Sequence, residues 1–330
     1  MLYVNSGTAP RRPAVLDHGA EGGHSGLSGA VWIDLCNPTD AERAAAERGS
    51  GMAVPAQADL AEIESSSRLS VTGDVLTLST PMTYRGPDGE SMVAPLGFVL
   101  SPRHLLTIRF ADMPLFDSYG ERFATIGTGA GSVAAFLGLL ETIIDRLADV
   151  LEHIGTDLGA LSRQIFQPGD STRHNAAMAD KQLRLTLRNV GLAGERVSNI
   201  RDSLLGVNRI LMYVADVAAG WIPKELLKRF ATLRNDVTSL TDYDNQITNK
   251  VQFLLDATLG FINIEQAQGI KVLTVVSVVG VPPTLMASIY GMNFKNMPEL
   301  QWEHGYAYGL FIIVLSAVLP LIWFKNRGWI

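Results

Sequence analysis

From Ser132 onward, apolar side chains recur at steps of three and four: Val133, Phe136, Leu140, Ile143, Leu147, Val150, Ile154, Leu158, Leu161 and Ile165. That period predicts one amphipathic helix, opened by a Ser132 cap and ended by Gln167-Pro168-Gly169. A second helix is predicted over about 175–219. Trp221-Ile222-Pro223-Lys224 then restarts the chain, with Pro223 suited to a first helical turn. No strong breaker appears until Pro282-Pro283, so a helix over Lys224–Ile289 is predicted, about 100 Å long at about 1.5 Å per residue. A helix of that length cannot cover its apolar stripe alone, which predicts association of several copies.

Residues 30–120 read differently. Ala30-Val31-Trp32-Ile33-Asp34-Leu35 is a predicted strand, and Thr39-Asp40-Ala41-Glu42 has the capping pattern of a helix start. Val75–Thr80, Gly97–Leu100 and His104–Phe110 are further predicted strands, with Gly86-Pro87-Asp88-Gly89 as a turn. Strands followed by long helices give an α+β chain whose first domain is layered α/β.

Two uncharged stretches of 19 residues, Val272–Tyr290 and Tyr306–Phe324, close the chain. Each matches the roughly 20 apolar residues that a bilayer core requires. A third uncharged window, Phe123–Leu140, contains Ile126-Gly127-Thr128-Gly129-Ala130-Gly131-Ser132 in its first half and is read as a loop leading into the Ser132 helix. Lys271 precedes the first span, while Lys325 and Arg327 come after the second. Positive charge stays inside, which places both termini in the cytoplasm and the loop between the spans outside. The expected organisation is a loose tail (1–29), a cytoplasmic α/β domain (30–120), a helical hairpin (121–222) and a stalk (223–271). Next come a first span (272–290), a periplasmic loop (291–305), a second span (306–324) and a basic C-terminus (325–330).

Composition narrows the function. With 33 acidic against 27 basic residues the net charge is −6, which argues against a nucleic-acid partner. The single cysteine, Cys36, excludes an intrachain disulfide and fits a reducing compartment. No Cys or His spacing supports a structural zinc site. No catalytic dyad, triad or nucleotide loop is visible, so no enzyme and no organic cofactor are expected. Glu141, Asp145, Asp149 and Glu152 form an acidic stripe on the first long helix, read either as a solvated face or as a surface that gathers cations.

Tyr290-Gly291-Met292-Asn293-Phe294, followed by Met297-Pro298-Glu299-Leu300 between the two spans, resembles the CorA magnesium transporters of proteobacteria. Phe261-Ile262-Asn263-Ile264-Glu265-Gln266, Pro282-Pro283-Thr284-Leu285, Val31-Trp32-Ile33-Asp34-Leu35 and Trp323-Phe324-Lys325 are similar as well. The resemblance implies a funnel-shaped homopentamer in the membrane, with lipid around it, divalent cations as its substrates and its first span lining a pore. It implies Gly291, Met292 and Asn293 as the selectivity filter and Glu299 as a loop carboxylate that draws cations in.

On spacing alone, Ile270, Leu273, Ser277, Val281 and Thr284 share one helical face. Ordinary helix packing explains such a stripe too; the resemblance makes these residues pore-lining and adds Asp256 as an acidic ring. Val281 stands where the family often has a larger residue. Mg2+ is then the expected substrate and also the regulator that closes the channel from inside. The family's regulatory aspartate falls at Thr232, leaving Asp236, Asp242 and Asp244 as substitutes. Co2+ and Ni2+ are further candidate ions. A zinc transporter of the same superfamily and a membrane-anchored sensor are the alternatives; zinc relatives often carry Gly-Ile-Asn where this chain has Met292.

Overall fold

The computed structural model describes residues 1–5, 12–13, 27, 29–64, 68–126, 131–167, 176–292 and 296–329. The chain divides into two compact units, residues 1–166 with 188–255, and residues 167–187 with 256–330.

The first unit is built on a seven-stranded mixed sheet in the order β2-β1-β3-β7-β6-β5-β4. The strands are β1 (Leu2–Asn5), β2 (Arg12–Pro13), β3 (Trp32–Cys36), β4 (Leu69–Thr72), β5 (Val75–Arg85), β6 (Ser91–Leu100) and β7 (Leu105–Arg109). The short helices α1 (Asp40–Ser50) and α2 (Gln57–Leu60) come between β3 and β4. After the sheet come α3 (Pro114–Ile126), α4 (Ser132–Phe166), α5 (Ala176–Val217) and α6 (Lys224–Tyr290).

The sheet is covered on both faces. Ile33, Leu35, Val99, Leu106 and Ile108 pack with Ala45, Ala46, Met52, Val54 and Leu60 of the short-helix side. Trp32, Leu76, Leu78, Phe98 and Leu105 point the other way, onto α3, α4 and their neighbours. Alternation along β3 and β7 produces this split, since successive side chains leave a strand on opposite faces. On the long-helix side, Phe98 meets Phe136 edge-on at 5.3 Å, and Phe136 lies 6.4 Å from Phe230 of α6.

One polar network crosses this core. Asp34 on β3 and Arg109 on β7 are both fully enclosed, and Arg109 Nη2 lies 3.1 Å from Asp34 Oδ2. Thr107 Oγ1 donates to Asp34 Oδ1 at 2.7 Å and accepts from Trp32 Nε1 at 3.0 Å. Arg109 Nη1 donates to the Ala111 carbonyl at 3.2 Å, and its guanidinium sits 4.8 Å from the Phe116 ring centre. Two buried charges are tolerated because each is paired and its remaining hydrogen-bonding capacity is used.

Several expectations change here. The 1–29 segment is not wholly a loose tail: β1 pairs antiparallel with β3, with Leu2 opposite Leu35 and buried. Leu2, Tyr3 and Val4 are good strand residues, and the Gly- and Ala-rich composition of the rest of that segment hid them. Strand β5 runs past Thr80 to Arg85, and β6 begins at Ser91 rather than Gly97. Pro81 and Pro95 lie opposite each other in this hairpin, beyond the ends of β4 and β7. Their missing N–H groups are not needed where no further strand adjoins. The turn at Gly86–Gly89 is formed, with Gly89 at φ 80°.

Thr39 does cap α1, in a reciprocal box with Glu42. Ser132 does not act as a cap. It is the first residue of α4, buried, and its hydroxyl donates to the Ser101 carbonyl at 2.6 Å. In the uncharged 123–140 window, Phe123, Phe136, Leu137 and Leu140 are all buried in the core and α3 runs through Ile126, while residues 127–130 of the expected loop lie outside the described residues. Helix α5 rides close over β5, where a Cβ at Gly206 would fall onto the side chain of Thr80.

In the second unit, α6 continues through Pro282 and Pro283 to Tyr290. A 3-10 turn, Pro298–Gln301, leads to α7 (Gly305–Asn326). At the far end Gly328, at φ 68°, turns the chain so that Trp329 stacks on Phe324 at 5.3 Å. Lys271 Nζ donates to the Gly328 carbonyl at 3.2 Å and lies 5.6 Å from the Trp329 ring centre.

Candidate functional site

Helices α6 and α7 are long and apolar enough to cross a membrane. No residue in the apolar window of α6 is buried, and only 11% of that of α7. Among the residues expected to line a pore, Ile270, Leu273 and Val281 are 66%, 67% and 62% exposed. Ser277 and Thr284 are exposed as well, so all five stand on one uncovered face of α6. The Thr284 hydroxyl donates back to the Gly280 carbonyl at 2.9 Å, leaving its oxygen lone pairs outward. Asp256 is exposed on the same helix.

The end of α6 is frayed gently rather than sharply turned. The Gly291 N–H still donates to the Ala287 carbonyl at 3.0 Å, and that of Met292 to Ile289 at 3.2 Å. Gly291 lies outside the left-handed region, so its role does not rest on a positive φ. Met292 is exposed; Asn293 lies outside the described residues. Glu299 sits in the first turn of the 3-10 segment, half-buried.

The proposed regulatory carboxylates do not form one group. Asp236 and Asp242 are exposed on α6, whereas Asp244 is buried. Arg201 Nε holds Asp244 Oδ2 at 2.7 Å, and Arg201 Nη2 donates to Thr248 Oγ1 at 2.6 Å. Burial pushes the Asp244 carboxyl above its ordinary range, while Arg201 pulls it back. Asp244 is therefore committed within its own chain, which corrects its place beside the other two. Among the described residues no three His, Cys, Asp or Glu side chains are arranged to hold a metal ion.

Asp236 has other company. It lines a cleft of about 540 Å³ with Glu141, Asp145, Arg122 and Arg229. Glu141 is clamped by Arg229 at 2.6 Å, so the acidic stripe read from sequence is partly neutralised. Asp145 is pushed up by burial and by Glu141, Asp149 and Asp236, against the pull of Arg122. The sequence displays the stripe and Asp236 separately; the packing of α4 on α6 brings them together, and no spacing within either helix reveals it.

A layered sheet domain followed by two exposed apolar helices fits a membrane protein with a large N-terminal domain. The family described as "CorA-like Mg2+ transporter protein" matches residues 28–326, and the chain belongs to that family. It is similar to the magnesium transport protein CorA of Yersinia pseudotuberculosis serotype I (strain IP32953), 33% identical over 92% of this chain and 93% of that protein. The CorA proteins of Sodalis glossinidius (strain morsitans), at 34%, and Escherichia coli (strain K12), at 33%, match over the same shares. Among solved structures, the complete CorA magnesium transporter from Methanocaldococcus jannaschii superposes with a TM-score of 0.75 at 19% identity, covering 100% of this chain and 99% of that one. The full-length CmaX protein gives 0.68 at 18%, over 99% and 96%. The cytoplasmic domain of ZntB from Vibrio parahaemolyticus gives 0.56 at 10%, over 80% and 98%. At these identities the structural likeness is one of fold.

Proposed function

We propose that this protein carries Mg2+ across the bacterial inner membrane as one subunit of a homopentamer, with α6 lining a central pore and α7 facing lipid. The observation that carries the reading is the family match through residue 326, which includes Gly291-Met292-Asn293 directly after the uncovered apolar end of α6. Both termini lie in the cytoplasm. The Asn293 amides of several copies form a ring at the outer mouth. Mg2+ gives up its water reluctantly, so amide oxygens accept hydrogen bonds from the waters of a hydrated ion rather than replacing them. Such a ring selects by size and oriented dipole and holds the ion weakly enough to release it. Gly291 and Met292 position it, and Glu299 raises the local cation density.

Further in, the exposed face of α6 supplies the bore. Thr284 and Ser277 offer hydroxyl rings; Val281, Leu273 and Ile270 form apolar constrictions that gate by dewetting. Asp256 makes an acidic ring at the inner end. The membrane potential contributes about 2.3 kcal/mol per charge per 100 mV, hence about 4.6 for a divalent ion, and inward flow needs no other coupling. Closure at high internal Mg2+ is assigned to Asp236 and Asp242 on the exposed side of α6. Co2+ and Ni2+ share the path.

The test is growth rescue of a Mg2+-uptake-deficient strain, paired with flux into liposomes for Mg2+, Co2+, Ni2+ and Zn2+. Wild type is expected to rescue and Asn293→Ala to fail at equal membrane abundance. Rescue that persists in Asn293→Ala removes the amide ring from the mechanism. A flux carried by Zn2+ and not by Mg2+ transfers the assignment to the zinc branch.

A further inference from the structure

A second cleft, of about 260 Å³, lies between the tip of the β5–β6 hairpin and the adjoining turns of α4 and α5. None of the residues assigned above to the ion path or its closure lines it. Its lining is apolar at Met82, Leu147 and Ile154, all buried, and at the half-buried Tyr84 and Val150. Its rim is basic: Arg85 comes from β5, Arg146 from α4 and Arg196 from α5. Three elements far apart in sequence thus bring three arginines to the lining of one cleft, on a chain whose net charge is −6. The hairpin turn helps to place the first of them, since a Cβ on Gly89 would lie 3.2 Å from Arg85 Nη2. Among the described residues none of the three arginines is engaged in an ion pair.

Two carboxylates, Glu90 and Asp149, share the rim. They leave a positive surplus of three charges against two, and they repel a bare anion. A ligand that satisfies the whole cleft has a strongly charged end for the guanidiniums, hydrogen-bond donors for the carboxylates and an apolar body for the apolar lining. A phosphate monoester meets the first need, because its oxygens match the forked donors of arginine. Sugar hydroxyls and a ring amine meet the second, and a flat heterocycle meets the third. The volume falls just under the usual range of roughly 300–1,000 Å³ for ligand pockets, which favours one nucleotide over a dinucleotide. We propose that this cleft binds a nucleoside monophosphate, with its phosphate on Arg85, Arg146 and Arg196 and its base on Tyr84 and Val150.

Titration calorimetry on the full-length protein in mild detergent, without Mg2+, tests this with AMP and CMP as ligands and adenosine and inorganic phosphate as fragments. Binding with a Kd of about 1 mM or below is expected for both nucleotides, with each fragment weaker by about tenfold or more. Arg146→Gln combined with Arg196→Gln should weaken AMP by at least about tenfold, the loss of charge-assisted contacts. Arg103→Gln, exposed and outside the cleft, should leave it unchanged. All the substituted side chains lie at the surface or partly exposed, and gel filtration checks that the variants keep their assembly. The proposal is overturned by no heat from either nucleotide, by adenosine or phosphate matching AMP, or by an unaltered affinity in the double variant. None of these readouts depends on ion flux.

Discussion

Leu140 on α4 and Leu105 on β7 are wholly covered by their own chain, whereas Leu273 and Val281 on α6 stand 67% and 62% exposed. Burying a leucine is worth about 1.5–3 kcal/mol, so the first unit collects that stabilisation alone. The second cannot do so with the atoms of one copy. The same contrast holds for charge. Arg109 and Asp34 are sealed inside the sheet domain and answer each other, while Asp256, where the second unit takes over α6, is exposed. One unit is complete as a folded body. The other presents apolar faces that its own chain leaves uncovered.

The contrast can be broken at its strongest point by Arg109→Met. Removing one partner of a sealed ion pair strands the other, at a cost of about 3–5 kcal/mol. Thermal unfolding of the sheet domain should fall steeply, and Asp34→Leu added to it should recover most of the loss. A smaller effect sharpens the comparison. Leu140→Ala should cost about 3 kcal/mol through the cavity it leaves. Leu273→Ala should leave the unfolding of the sheet domain unchanged and alter only ion flux. A domain transition lowered by Leu273→Ala would contradict this division of the chain.

The smallest expected change concerns Asp244. Its carboxyl is raised by burial against the pull of Arg201, so the native chain binds a proton that the unfolded chain has already released. Stability therefore declines as pH rises from the unfolded value of about 3.9 toward the raised native value. Asp244→Asn should flatten that decline while costing about 1.5–3 kcal/mol near neutral pH, the loss of the charge-assisted contact to Arg201. A pH profile identical to wild type would show that the group titrates normally.

Much of this was legible in the sequence, for identifiable reasons. The α4 period, the restart at Pro223 and the Gly86–Gly89 turn are local signals, and each appears where the pattern puts it. The full length of β5 and β6 was not legible, because Pro81 and Pro95 read as strand ends until their cross-strand pairing is known. Helix α3 was not legible, because its last turn runs into the uncharged window, although Pro114 at its first position was a usable signal. The pairs Asp34–Arg109 and Arg201–Asp244 join residues 75 and 43 positions apart, beyond the reach of any local rule. The exposed stripe on α6 was readable from spacing alone, but its meaning was not, since packing and pore lining leave the same period.

Pro282 and Pro283 lie inside α6, and each arrives without an amide hydrogen. The main-chain oxygens of Val278 and Val279 are thereby left without their helical donors four positions on. In hydrocarbon each bare oxygen would cost several kcal/mol. This turn of the helix must therefore stay hydrated or take a hydrogen-bond donor from a neighbour, so one of its most hydrophobic-looking stretches, Val-Val-Gly-Val-Pro-Pro, is where a polar partner is required.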